Sequence, residues 1–206
     1  RSRRQRQMCI RDSPDTLGSL HGLGTKLWAS WFQAVAPRSA GFTTMDTSML
    51  TQGSAFFVMT LMFIGAGSGS TGGGIKLTTF IILLIATRAF LRQQHNPVLF
   101  GRSIDASLTL RALAITIIAL FFVVTGTFLL TLTEHASFLD LAFEVVSAAS
   151  TTGLSRGVTS TLSFSGQWIV MILMLVGRVG PLTLAFTLAN SRGAGVTYPA
   201  GRVNIG

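Results

Sequence analysis

The densest chemical signal in the chain is IGAGSGSTGGGIK, the thirteen residues from Ile64 to Lys76. Gly67, Gly69 and Gly72 fit G-x-G-x-x-G, a spacing that lets backbone N–H groups approach a pyrophosphate. That motif needs a strand before it and an acid about twenty residues after it. Here no Asp or Glu occurs between Asp46 and Asp105, and the preceding apolar run is long. A phosphate loop of the G-x-x-x-x-G-K-[ST] type fails too, because Ile75 precedes Lys76 and Leu77 follows it. The chain is therefore read as no enzyme, and a membrane-embedded nucleotide-using enzyme is kept only as a remote alternative.

Other reactive groups are sparse. His21, His95 and His135 are far apart, with no metal-ligand spacing to Asp or Glu. The single cysteine, Cys9, supports neither a disulfide nor a thiolate metal site. Glu144 lies inside an apolar segment, where a carboxylate must be hydrogen-bonded or paired. Its expected role is to tie the following loop to neighbouring backbone. Two glycine-centred loops, RSAGFTT around Gly41 and TTGLSRG around Gly153, suit a different chemistry. A short helix followed by an extended loop can line up carbonyl oxygens that replace a cation's water shell. Glycine permits the required dihedrals, and the negative end of the helix dipole favours a cation.

Such loops need a scaffold, and composition says which kind. The 206 residues are 49% hydrophobic and 11% charged, with mean hydropathy +0.57. Soluble domains carry about 25% charged residues, so a membrane protein is expected. Five of the sixteen basic residues fall in the first eleven positions, and the rest stand singly at the edges of apolar runs, which argues against nucleic acid as a partner. Residues 1–13 read as a non-native or disordered basic tail. The short segments from Thr25 to Ala36 and LDLAFEVVSAAS before Ser150 cannot cross a bilayer, which takes about 20 residues. Residues 112–132 and 168–189 can. The apolar region from Ala55 to Phe90 suits two half-helices joined by the glycine-rich break. Arg88, Arg92, Arg102 and Arg111, with Arg192 and Arg202 in the tail, put that loop and the tail in the cytoplasm. Both glycine loops then dip in from outside, the side that also holds Arg156, Asp46, Glu134 and Asp140.

The chain repeats itself. At the offset that aligns Gly41 with Gly153, Leu50 meets Leu162, and Gly65 meets Gly177. Val58, Met59, Leu61 and Met62 meet Val170, Met171, Leu173 and Met174. Each unit is a short re-entrant helix, a glycine loop and an inner helix. Ala66 aligns with Arg178, an arginine expected near the middle of the last span, where a charge is expensive and points to function.

Four motifs in order, FQAVAPRSAGFTT (32–44), FIGAGSGSTGGGIK (63–76), FEVVSAASTTGLS (143–155) and VGRVGPLTL (176–184), resemble the Trk/Ktr potassium-uptake family over roughly residues 16–206. The resemblance implies an all-α membrane protein of helix–pore-loop–helix repeats, with a pseudo-fourfold pore like that of a potassium channel. Residues 14–92 would be the third unit without its first transmembrane helix, 93–111 a cytoplasmic loop, 112–190 a complete fourth unit and 191–206 a cytoplasmic tail. Arg38, Ser39, Ala40, Gly41 and Phe42 would form one selectivity-filter segment. Ser150, Thr151, Thr152, Gly153, Leu154 and Ser155 would form another, with K⁺ held at Gly41, Thr152 and Gly153. The intramembrane gating loop would comprise Gly65, Gly67, Gly69, Ser70, Thr71, Gly72, Gly73, Gly74 and Lys76. Arg178 would obstruct the pore, and Glu144 would support the filter. The implied function is K⁺ uptake across a bacterial inner membrane, by a homodimer carrying a cytosolic nucleotide-binding regulatory ring. A Na⁺-permeable transporter of the same architecture is the alternative.

Overall fold

The computed structural model describes residues 23–38, 41–43, 47–67, 69–70, 72–93, 98–99 and 102–180. Its longest element is α4, Ala106–Thr133, 28 residues with mean hydropathy 2.6 over its most apolar stretch. At 1.5 Å per residue it measures about 42 Å, more than the hydrocarbon core of a bilayer. It starts six residues before the expected span, because Asp105 sits at its N-cap and Ser107 Oγ donates to the Asp105 carboxylate at 2.7 Å. Two threonines along it carry paired hydroxyls. Thr116 and Thr127 hydroxyls donate to the carbonyls of Ala112 and Val123 four residues back, at 2.9 and 2.8 Å, so lipid meets no unpaired hydroxyl there.

The remaining helices are α1 (Leu23–Val35), α2 (Gln52–Phe63), α3 (Leu77–Leu91), α5 (Phe138–Ala149) and α6 (Phe164–Val179). One antiparallel hairpin of two-residue strands, β1 (Val98–Leu99) and β2 (Arg102–Ser103), joins α3 to α4. Among the described residues α4 alone is long and apolar enough to span a membrane by itself, while α2, α3 and α6 are shorter apolar helices.

The repeat holds at the level of elements. The 3₁₀ turns Thr47–Met49 and Thr159–Thr161, the N-caps Thr51 and Ser163, and the helix starts Gln52 and Phe164 all stand at the offset that relates the two glycines. Each cap hydroxyl accepts from the N–H three residues on, at Ser54 and Gly166. The units then diverge: α2 stops at Phe63, whereas α6 runs on through Val179. The last span thus begins four residues earlier than expected, since SFSGQ is a capped helix start rather than a loop. Arg178 lies in the last turn of the described helix and is exposed. Residues beyond Gly180, including the predicted continuation to Ala189, lie outside the described residues.

Helix α5 is the hub. It packs against α2, α4 and α6, and Leu141, Phe143, Val145, Val146 and Ala148 are all buried. One face joins Leu130, Val158, Leu162, Val170 and Leu173 in a cluster internal to the second unit. The other face sends Phe143 and Val146 into a cluster with Ala55, Val58, Met59 and Met62 of α2 and with Leu154. The two units therefore share a core.

Candidate functional site

Helix α5 ends at Ser150, and the next residues turn sharply. The N–H groups of Ser150, Thr151 and Thr152 still bond carbonyls of the helix, at Val146, Ala148 and Ser147. Thr151 takes φ 53°, the left-handed region that L side chains avoid, and Gly153 follows at φ 84°. In the first unit Gly41 is at φ 68°. Each glycine sits where a side chain would strain the backbone, a few residues past a short helix.

The two loops touch. A Cβ on Gly41 would lie 2.7 Å from the carbonyl oxygen of Thr152, closer than real contacts allow. Thr152 Oγ1 donates across the junction to the Pro37 carbonyl at 3.4 Å, and it lies 3.1 Å from Ser150 Oγ. Arg38 closes the 3₁₀ turn after α1 and is exposed, as is Phe42, while Ser39 and Ala40 lie outside the described residues.

The glycine-rich break is a loop closed at its own neck. Ile64 and Ile75 form a parallel bridge, with Gly65 N–H donating to the Ile75 carbonyl at 2.9 Å and Ile75 N–H to the Phe63 carbonyl at 3.0 Å. Lys76 Nζ donates to the carbonyls of Ser70 and Gly72 at 2.6 and 2.7 Å. Gly67 and Gly69 lie in this loop, and Thr71 is outside the described residues. Its C-terminal end meets the loop that follows α5. Gly73 N–H donates to Thr151 Oγ1 at 2.9 Å, and a Cβ on Gly73 would come within 2.8 Å of the Ser150 carbonyl. A Cβ on Gly74 would lie 3.4 Å from the Ser150 side chain. On the other side Gly177 of α6 approaches so closely that a Cβ there would overlap the Ala149 carbonyl. Arg178 follows it directly in the chain.

Glu144 is buried, and its partners are hydroxyls rather than the expected backbone. Ser155 Oγ donates to Glu144 Oε2 at 2.9 Å, and Thr159 Oγ1 donates to Oε1. The carboxylate thus holds the segment just after Gly153. Thr47, the counterpart of Thr159 in the repeat, instead reaches across to donate to the Ser155 carbonyl. Sequence reasoning counts Arg156 and Asp140 only as surface charges. They form an ion pair at 2.6 Å beside the same segment. Glu134 likewise accepts from Ser163 N–H at 3.0 Å, joining the end of α4 to the start of α6. The one available signal is the placement of serines at the starts of the helices these acids serve. Among the described residues no cluster of His, Cys, Asp or Glu could hold a metal ion. What the site offers a cation is backbone and hydroxyl oxygen.

Two units of helix, glycine loop and helix, with the loops in contact and a third loop beneath one of them, define a membrane cation-transport protein of the pore-loop class. The family model described as TrkH, cation transport protein, matches residues 16–193, and the chain belongs to that family. It is similar to the Ktr system potassium uptake protein B of Bacillus subtilis, 47% identical over 194 residues, which are 94% of this chain and 43% of the relative. The protein of the same description from Vibrio alginolyticus is 43% identical, over 95% of this chain and 43% of its own length. The potassium/sodium uptake protein NtpJ of Enterococcus hirae is 37% identical, over 88% and 42%. The chain thus spans under half the length of these relatives. In fold it resembles the crystal structure of the potassium transporter TrkH from Vibrio parahaemolyticus, with a TM-score of 0.75 at 19% identity, covering 89% of this chain and 40% of that one.

Proposed function

We propose that this chain supplies two of the four pore units of a K⁺ uptake protein, the third and the fourth, and that the ion passes down its electrochemical gradient between the loops at Gly41 and Gly153. The observation that carries this reading is the contact between the loops. Two left-handed glycines stand at equivalent repeat positions, and one abuts the Thr152 carbonyl. Close-set carbonyls held in strained turns are what a dehydrated cation requires. K⁺ is the transported ion, bound at Gly41, Thr152 and Gly153, and no catalytic step is involved.

The loop from Gly65 to Lys76 serves as the gate, because it is anchored at its neck and reaches the filter base through Gly73. Arg178 obstructs permeation from the last turn of α6. The relatives' description as Ktr-system proteins supports a subunit of a larger assembly, and our reading adds a bacterial inner membrane, a homodimer and a cytosolic nucleotide-binding regulatory ring. A second reading, Na⁺-permeable transport by the same architecture, is favoured by the potassium/sodium description of the Enterococcus hirae relative.

The deciding experiment is rubidium and sodium uptake by the full-length protein in cells lacking their own K⁺ systems. Rubidium influx that saturates and exceeds sodium influx is expected, and Arg178→Ala should raise it. Equal sodium influx would favour the second reading, and no influx of either ion would remove both.

A further inference from the structure

Arg156 stands three residues past Gly153, with its side chain only 11% exposed and wedged between the two units. Its Nε donates to Asp140 Oδ1 at 2.6 Å, and its NH1 group donates to the Leu50 carbonyl at 3.0 Å. Both acceptors are themselves fixed. Asp140 is in the first turn of α5, where Ser137 Oγ donates to Oδ2 at 3.0 Å and accepts from the Asp140 N–H. Leu50 directly precedes Thr51, the N-cap of α2. One planar guanidinium therefore ties three things together: the start of α5, the start of α2 and the segment leaving the second filter loop.

The neighbouring residue doubles the link. The Ser155 carbonyl accepts from Thr47 of the first unit, while Ser155 Oγ donates to Glu144 of the second. The repeat offset places Thr44 opposite Arg156, Trp28 opposite Asp140 and Phe32 opposite Glu144, so the first unit has no residues to build the same clasp. The tie belongs to this one junction.

We propose that Arg156 is a positioning residue that sets the separation of the two filter loops, and through it the discrimination between K⁺ and Na⁺. The assignment rests on the transport reading above. The physical reason is mechanical. Preference for the larger ion depends on holding the oxygens at a set distance against collapse onto the smaller one. At the contact of Gly41 with the Thr152 carbonyl, the side-chain tie across the junction is the long 3.4 Å bond from Thr152 Oγ1 to the Pro37 carbonyl. The clasp at Arg156 lies a few residues away on the same strand of chain and joins the same two units. Removing one partner of this part-buried pair also leaves the other charge without its counterion, which draws the segment toward water.

A purely electrostatic role makes a different prediction, and the experiment separates the two. If Arg156 and Asp140 acted only as charges near the pore mouth, Arg156→Gln and Asp140→Asn would shift the KM for rubidium in opposite directions, and the double variant would return to wild type. If the pair positions the filter, both single variants and the double variant lower the rubidium-to-sodium uptake ratio. The expected loss is roughly fivefold, the scale of one ordinary hydrogen bond lost at a part-exposed site. Arg156→Lys, which keeps the charge but replaces the planar fork by one ammonium on a shorter stem, should fall between.

The measurement is uptake of both ions by the full-length protein, normalised to its abundance in the membrane. A wild-type ratio in the double variant overturns the proposal, as does a fall in Vmax that merely tracks abundance. Should Arg156→Gln fail to reach the membrane, Asp140→Asn and Arg156→Lys report the same ratio, and no change in them overturns it equally. A wild type that takes up neither ion defeats the transport reading itself, an outcome distinct from an insensitive clasp.

Discussion

Gly153 has open space around it: a Cβ placed there would find nothing nearer than the Gly41 Cα at 4.0 Å. Its φ of 84° is the whole constraint. Gly153→Ser should therefore fold, at a backbone cost of about 1–2 kcal/mol for an L residue in the left-handed region. Because that strain is relieved by rotating the loop, the variant is expected to lower the rubidium-to-sodium uptake ratio while reaching the membrane. An unchanged ratio would place ion selection elsewhere. Gly41 differs, since the Thr152 carbonyl blocks any side chain, and substitution there would disturb both loops. Both glycines are legible in the sequence, because a glycine that recurs at one register inside an apolar region marks a backbone conformation closed to residues with a Cβ. Arg156 is not legible as a clasp. A lone arginine in a loop looks the same whether it is solvated or threaded between two helix starts, and only folding brings Asp140 and the Leu50 carbonyl to it. Gln33 is hidden for the same reason. It is buried to 2% exposure, with neither amide atom hydrogen-bonded among the described residues.

For the elements, the glycine-rich loop is held by its neck and by Lys76. The ammonium serves two carbonyls six and four residues back, a closure any donor of that reach could make. Lys76→Met keeps the stem and removes the donors. With the site partly wet, the loss is about 1 kcal/mol, and basal rubidium influx should rise roughly fivefold as the loop leaves the filter base more often. Influx that stays at the wild-type level would show that the neck alone holds the loop. Helix existence is readable from apolar runs, and so is the break, because ten residues from Gly65 to Gly74 with six glycines cannot continue a helix. Helix starts are harder to read. Ser163 begins a helix that looks like polar loop, since its hydroxyl caps the Gly166 N–H and one such cap outweighs several residues of weak propensity.

At the level of the whole molecule, the two units are not separable. Met62 and Val58 of α2 are buried against Phe143 and Val146 of α5, residues about eighty positions later in the chain. A truncation ending in the loop after α3 should be degraded in cells, because the apolar face of α2 has no cover, and pulse-chase labelling would read its lifetime against the full-length protein. A stable truncation would mean that lipid or another copy satisfies that face. The shared core also sets a schedule. At roughly 5–20 residues per second, the ribosome takes on the order of ten seconds between making α2 and making α5. During that interval the glycine loop of the first unit is already made, while Thr151, the acceptor for its Gly73 N–H, is still to come.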